Sequence, residues 1–336
     1  MPPAATPPPG PRAERDPAVV YILGAGRSGS TLLERVLGCL PGFVNVGELV
    51  GLFRRIVVQD QRCGCGEPFS GCPFWQEVGR RGFGGWDPEA VRDVAALQDR
   101  VARQRNVVRL AVPAVAGAAY RAELARYEDV QRRLYRAIAE AAGADVVVDS
   151  SKWPAPALAL RHAAGLDLRV LHLVRDVRGV AYSWAKSDVA RPHVTTDGAA
   201  VMSRFSAGLT AARWTLVEAE AAWLTRATER AATVRYEDLV EHPRETLART
   251  LAGLGFSPAL GDHLRIEGGL MTLPSSHGIG GNPSRFTTGD VRLRVDDAWR
   301  TRLSRRDAAL TTAIGLGPLL GHRYLPQRPT SDRPRS

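Results

Sequence analysis

The stretch 19-VVYILGAGRSGSTLLERVLG-38 constrains this chain more than any other. A short apolar run, Val19–Leu23, stops at a glycine and gives way to a polar turn. From Thr31 onward the apolar residues recur at helical spacing. Strand, glycine-rich turn and helix, in that order, aim successive backbone N–H groups and the positive end of a helix at one point. That geometry suits a phosphate-sized anion. Gly24 and Gly29 have the spacing of the phosphate loop GxxxxGK[ST], but Ser30 stands where that motif carries lysine. Arg27 lies inside the loop instead, beside Gly26, Ser28, Gly29, Ser30 and Thr31, and a guanidinium there can bind an anion through two hydrogen bonds. A plain Gly-Ser turn is the alternative.

The rest of the chain repeats the pattern. Strands are expected at Val19–Leu23, Asp145–Val148, Leu168–Val174 and Ala232–Val234. Helices are expected at Thr31–Leu40, Pro154–Ala164 and Val177–Lys186. With 336 residues, 44% of them hydrophobic, the chain can bury a full core. The expectation is an α/β, three-layer, P-loop-like fold: a central, mainly parallel sheet flanked by helices, plus helical insertions. One domain should span residues 18–326, with an insertion at about 50–142 that ends in a helix over Ala119–Ala142. A second helical stretch covers Ala200–Arg230. The proline-rich residues 1–17 should be disordered, and 327–336 should form a flexible tail.

The formal charge of +10 is almost all arginine, since Lys152 and Lys186 are the only lysines. Such a bias usually follows base composition. It suits a small polyanionic ligand and, with no nucleic-acid-binding motif, does not point to DNA or RNA. No apolar run is long enough to span a bilayer and no export signal is visible, so the cytoplasm is the expected compartment. The four cysteines, Cys39, Cys63, Cys65 and Cys72, should then be reduced thiols or metal ligands rather than disulfides.

Four segments, taken in order, carry a resemblance. GRSGSTLL resembles the 5′-phosphosulfate loop of the sulfotransferases, which use 3′-phosphoadenosine 5′-phosphosulfate (PAPS). Arg27 takes the place of the basic residue of that loop. 175-RDVRGVAYS-183 resembles the family's 3′-phosphate motif, with Arg175 and Ser183 at the familiar separation. 235-RYEDLVEHP-243 resembles the late segment whose tyrosine, here Tyr236, lies near adenine. 277-HGIGGNPSRF-286 resembles the loop that closes on the nucleotide. There Asn282 and Arg285 are the candidates, although the usual Arg-Lys-Gly is absent. The resemblance covers about residues 19–325. It implies sulfuryl transfer from PAPS to a hydroxyl or amine by in-line displacement, release of PAP, and no metal requirement. It also explains the missing lysine: a phosphosulfate has no β/γ-phosphate pair to reach.

The base is the open point. The histidine of the cytosolic enzymes has no counterpart in 149-DSSKW-153. A branch resembling the tyrosylprotein sulfotransferases uses a glutamate after the first helix, and Glu48 sits at a similar distance here. Glu48 is therefore the expected base, Lys152 a second charge for the sulfuryl oxygens, and Arg27 the group that stabilises the leaving oxygen. A surface Glu48 paired with Arg54 or Arg55 is the alternative. His193, in the segment 188–198, could touch the acceptor. The loop 63-CGCGEPFSGCPFW-75 reads as structural; zinc on Cys63, Cys65 and Cys72 would need a fourth ligand, and Cys39, at the end of a helix, is one candidate. Two other readings compete. A P-loop kinase or NTPase using ATP and Mg²⁺ would place the metal on the aspartate of 146-VVVD-149, and a non-catalytic nucleotide- or glycan-binding protein would use the loop alone. The acceptor classes left open are carbohydrate, lipid, phenolic metabolite and peptide.

Overall fold

Strand β1 (Ala18–Leu23) sends Val19, Tyr21 and Leu23 into one core and Val20 and Ile22 into another. A strand that is apolar on both faces needs cover on both, which is the situation of a parallel sheet between helical layers. The computed structural model describes residues 16–186 and 204–325 and has this architecture.

Helix α1 (Ser30–Leu37) and strand β2 (Phe43–Gly47) follow β1. Then come helices α2 (Pro73–Phe83), α3 (Pro88–Val101) and α4 (Ala118–Ala142). After them run β3 (Val146–Lys152), α5 (Pro154–Arg161), β4 (Asp167–Val174), α6 (Val177–Ala185), α7 (Ala207–Arg226) and β5 (Ala231–Arg235). The five strands pair in parallel in the order β2-β3-β1-β4-β5. Ala18 of β1 faces Val146 on one side and Asp167 on the other. The chain fills one flank of β1 first and the other afterwards. In open α/β sheets such a reversal leaves a crevice at the carboxyl ends of the strands.

The helices divide between the two faces. Leu33, Val36 and Leu37 of α1 cover Val20 and Ile22, together with Leu247 and Leu251 of α8 (Pro243–Gly253). Trp75, Leu97, Leu134 and Leu158, from α2 to α5, cover Val19 and Tyr21. The region expected as an insertion thus supplies part of one core. Tyr135 of α4 even donates a hydrogen bond to Asp149 of β3, at 2.7 Å.

All four expected strands are present, with β3 running on to Lys152. Two features were not expected. One is β2. The other is an antiparallel sheet of β6 (Ile266–Glu267), β7 (Leu270–Leu273) and β8 (Gly289–Arg292). Runs this short, with Asn45 in the middle of β2, carry too few residues for periodicity to register. The helix expected over Ala200–Arg230 spans Ala207–Arg226. Residues 1–15, 187–203 and 326–336 lie outside the described residues, and with them His193 and the expectations for both chain ends. Among the described residues, no helix is long and apolar enough to cross a membrane.

One late contact positions the site. Ile279 adds to the sheet edge beside Gly47: its N–H donates to Val46 O at 3.0 Å, and its carbonyl accepts from Glu48 N–H at 2.7 Å. Gly47 has φ 79°, and a Cβ there would lie 2.1 Å from Ile279 O. Both the backbone angle and the close approach require glycine. Gly47→Ala should cost about 1–3 kcal/mol, read as a lower urea midpoint at unchanged m-value. An unchanged midpoint would show that the edge gives way freely.

Candidate active site

The carboxyl ends of β1, β2, β3 and β4 open on one cavity of about 720 Å³. A small-molecule site commonly has this size. β1 feeds the loop into α1. Gly29 caps that helix at φ 95°, and a Cβ on it would meet the Tyr236 ring at 2.5 Å. Arg27 is itself left-handed, at φ 73°, a conformation that costs a non-glycine residue about 1–2 kcal/mol. Its guanidinium lies 5.3 Å from the Trp184 ring centre, and Trp184 Nε1–H donates to Gly26 O at 3.2 Å. A tryptophan from α6 thus braces the loop within the cavity wall.

β2 delivers Glu48, and β3 delivers Lys152 at φ 71°. Lys152 Nζ donates to Glu48 Oε1, and to Ser150 O at 3.2 Å. The two side chains are 14% and 16% exposed, so the ion pair is largely shielded but open to the cavity. The alternative partner Arg54 instead binds Asp99 at 2.9 Å.

Arg175 follows β4. Its Nη1 donates to Arg27 O at 3.0 Å and its Nη2 to Asp296 O at 2.9 Å. Its guanidinium also lies 4.7 Å from the Tyr236 ring centre. The Asp296 carboxylate approaches Arg175 at 3.3 Å and Lys186 at 3.5 Å. Burial opposes ionisation of Asp296, but these two cations hold its carboxyl below the ordinary range. Ser183, on α6, shares the same wall. On the opposite side Asn282 N–H donates to Thr31 Oγ1 at 3.4 Å, and Gly280 and Gly281 back the Glu48 side chain.

Gly26, Arg27, Gly29, Ser30, Thr31, Glu48, Lys152, Arg175, Ser183, Tyr236 and Asn282 therefore line one cavity. Ser28 and Arg285 do not. Ser28 is buried beneath the loop, its Oγ without a hydrogen-bond partner. Arg285 is buried too, with its Nη2 donating to Arg62 O at 3.0 Å and its guanidinium over Phe286 at 4.2 Å. Burial lowers its pKa to about 10. Sequence reasoning gave no site role to Arg55, Lys186, Arg213 or Asp296, all on the wall. Of these only Lys186 carried a signal, as one of two lysines in an arginine-rich chain.

Two carboxyls sit behind the wall. Asp149 accepts from Tyr135 and Ser151, and burial raises its pKa to about 6. Its side chain belongs to the core and not to the cavity lining, so it is not offered to a metal beside the loop. Glu34 of α1 is buried, and desolvation raises it from 4.5 to about 8, against the opposing influence of Ser150 and Lys152.

A family model described as "Sulfotransferase family" matches residues 17–258. The chain belongs to the sulfotransferase family. Among curated proteins none matches. Three solved structures are similar to this sulfotransferase. The sulfotransferase domain of the Synechococcus PCC 7002 olefin synthase is 20% identical, covering 90% of this chain and 96% of that one, with TM-score 0.43. A sulfotransferase from Alicyclobacillus acidocaldarius is 14% identical, covering 93% and 100%, with TM-score 0.37. Retinol dehydratase in complex with androsterone and inactive cofactor PAP is 13% identical, covering 90% and 80%, with TM-score 0.36. At these scores the likeness adds nothing to the family match.

The buried Glu34 makes stability depend on pH. Its folded pKa of about 8 lies above its ordinary 4.5, so the folded sulfotransferase binds the extra proton. That contribution is complete below the unfolded pKa and is lost as pH rises through about 8. Unfolding free energy should fall across this window by up to about 1.4 kcal/mol per pH unit. Glu34→Gln should flatten the slope in urea melts. An identical slope in the variant would mean that Glu34 ionises freely in the fold.

Proposed function

We propose that this sulfotransferase moves the sulfuryl group of PAPS to a hydroxyl or amine of an acceptor and releases PAP. One observation carries the reading: the Glu48–Lys152 pair borders the loop in the same cavity that holds Arg175 and Ser183. A carboxylate with its cation and a second cationic group share one space, which supports a base beside a second anion subsite. Residues 18–326 would act as one catalytic domain. The four unpaired thiols fit a reducing compartment such as the cytoplasm.

The loop and the first turn of α1 bind the 5′-phosphosulfate through backbone N–H groups and the hydroxyls of Ser30 and Thr31. Arg175 and Ser183 bind the 3′-phosphate, and the phosphate takes the place of the Asp296 carboxylate at Arg175. Tyr236 and Asn282 flank the nucleotide. Glu48 accepts the proton of the acceptor as its oxygen or nitrogen attacks sulfur, and the bond from sulfur to the bridging oxygen of PAP breaks in line. Arg27 stabilises charge on that oxygen, and Lys152 neutralises the sulfuryl group in transit. Positioning and charge supply most of the barrier reduction, as in phosphoryl transfer, and the transfer step uses no metal. Trp153, Phe205 and Arg213 give the remaining wall an aromatic and cationic lining for the acceptor.

The kinase reading needs a Mg²⁺-holding aspartate, and Asp149 is engaged by Tyr135 and Ser151. Thermal unfolding separates the two directly. PAP should raise the melting temperature without Mg²⁺, and Arg175→Ala should abolish the shift. A shift with ATP and Mg²⁺ alone would replace this reading with a kinase. A shift with PAP but no transfer to any acceptor class would leave a nucleotide-binding protein.

Glu48→Gln tests the base. Turnover should fall about 10²–10⁴-fold, the usual contribution of general base catalysis, while PAP binding changes little. Equal losses in turnover and PAP binding would make Glu48 a positioning residue for Lys152.

A further inference from the structure

Cys63, Cys65 and Cys72 meet a fourth group that is remote in sequence. It is His277, at the start of the segment that closes the cavity. The Sγ atoms of the cysteines and a ring nitrogen of His277 all lie within 4.8 Å of one another. Cys65 Sγ is 3.7 Å from Cys72 Sγ. His277 Nδ1 is 3.6 Å from Cys63 Sγ and 3.4 Å from Cys72 Sγ.

These separations have a simple geometric meaning. A tetrahedral zinc ion with Zn–S bonds of about 2.3 Å and a Zn–N bond of about 2.0–2.1 Å sets its ligands about 3.8 Å apart for two sulfurs and about 3.6 Å apart for sulfur and nitrogen. The three separations lie within a few tenths of an ångström of those edges. A disulfide, by contrast, needs sulfurs about 2.0 Å apart, and all four cysteines are free.

The surroundings hold the four groups in place. Cys63 N–H donates to Glu67 O at 2.8 Å and its carbonyl accepts from Gly66 N–H at 2.9 Å, which closes a tight turn around the first two sulfurs. The His277 ring stacks on Phe74 at 4.6 Å with 12° between the planes. Its carbonyl accepts from Trp75 Nε1–H at 3.0 Å. Gly64 N–H donates to Gly278 O at 2.9 Å. Cys63 and Cys72 are fully buried, and thiols are weak hydrogen-bonding groups that gain little from packing against one another.

We propose that Cys63, Cys65, Cys72 and His277 form a structural zinc site. Three thiolates and one imidazole fill the tetrahedron and leave no position for substrate, as in closed structural sites. Each thiol yields its proton to solvent on binding, and the neutral imidazole ligates through Nδ1 with its proton on Nε2. The site is separate from the transfer chemistry. Its effect is to fasten the cysteine loop to the segment that carries Ile279 onto the sheet edge and Gly280, Gly281 and Asn282 onto the cavity wall. Three cysteines and a histidine select zinc or iron over magnesium or calcium, and metal analysis distinguishes those two.

The test is metal content by mass spectrometry on untagged protein, expressed with zinc and purified in metal-free buffer. About one zinc per chain is expected, the stoichiometry of a closed four-ligand site. His277→Ala and Cys65→Ser should each weaken zinc affinity by at least about tenfold, since even outer-shell changes cost that much. Cys39→Ser should leave it intact. Because a ligand variant can fail to fold, wild-type protein stripped by a chelator provides a second readout. One equivalent of Co²⁺ should develop thiolate-to-cobalt and tetrahedral d–d absorption, and Zn²⁺ should abolish it. Wild-type protein without stoichiometric metal and without a cobalt spectrum would overturn the site. So would iron in place of zinc, or a Cys65–Cys72 disulfide in freshly purified protein. None of these readouts depends on PAPS or on transfer activity.

Discussion

The structure rests on β1 being hydrogen-bonded to a parallel partner on each side. Ala18 to Leu23 pairs with β3 along one edge and β4 along the other, so β1 and β3 end level at Leu23 and Lys152, and β4 runs on past His172 to Val174. What leaves those ends must converge: the glycine-rich loop from β1, Lys152 from β3 and Arg175 beyond β4. No side chain chooses this meeting place. It follows from strand direction and from the order in which the chain fills the sheet. A slip of β1 by one residue would exchange its two faces and send Tyr21 into the core that Val20 and Ile22 fill.

Charge at the site is arranged in layers. Nearest the cavity are ion pairs, Glu48 with Lys152 and Asp296 with Arg175 and Lys186. Behind them lie Glu34 and Asp149, whose burial favours the protonated form. Ionised carboxylates placed so close behind the wall would compete with a bound anion for the same cations. Glu34, raised to about 8, is protonated at neutral pH and withdraws no cation from the wall, whereas Asp149, raised only to about 6, is held by Tyr135 and Ser151.

Much of this was legible in the sequence because it is local. The loop, the Arg175–Ser183 pair and the Tyr236 segment each lie within a few residues, where spacing carries information. β1 and β4 announce themselves as apolar runs. What escaped was short or distant. β2 is five residues with a buried asparagine at its centre, and the antiparallel strands are shorter still. Arg285 looked like a ligand by position in its motif, yet its side chain turns inward to Arg62. His277 opens the segment 277–286 without an evident role, since nothing in a linear chain announces that it faces Cys63 and Cys72 more than two hundred residues away. Glu48 was readable as a candidate, but its ion-pair partner was not, because Lys152 reaches it across the sheet.

The scarcity of lysine has a chemical corollary. Lys152 and Lys186 are the only lysines in a chain with 45 lysines and arginines together, and both border the same cavity. Guanidinium groups do not acylate under conditions that modify primary amines, because they stay protonated. Apart from the chain terminus, every amine this protein offers to an acylating or imine-forming reagent therefore opens into the same cavity. An amine-directed reagent thus has only the chain terminus and two lysines as targets, and both lysines mark the cavity.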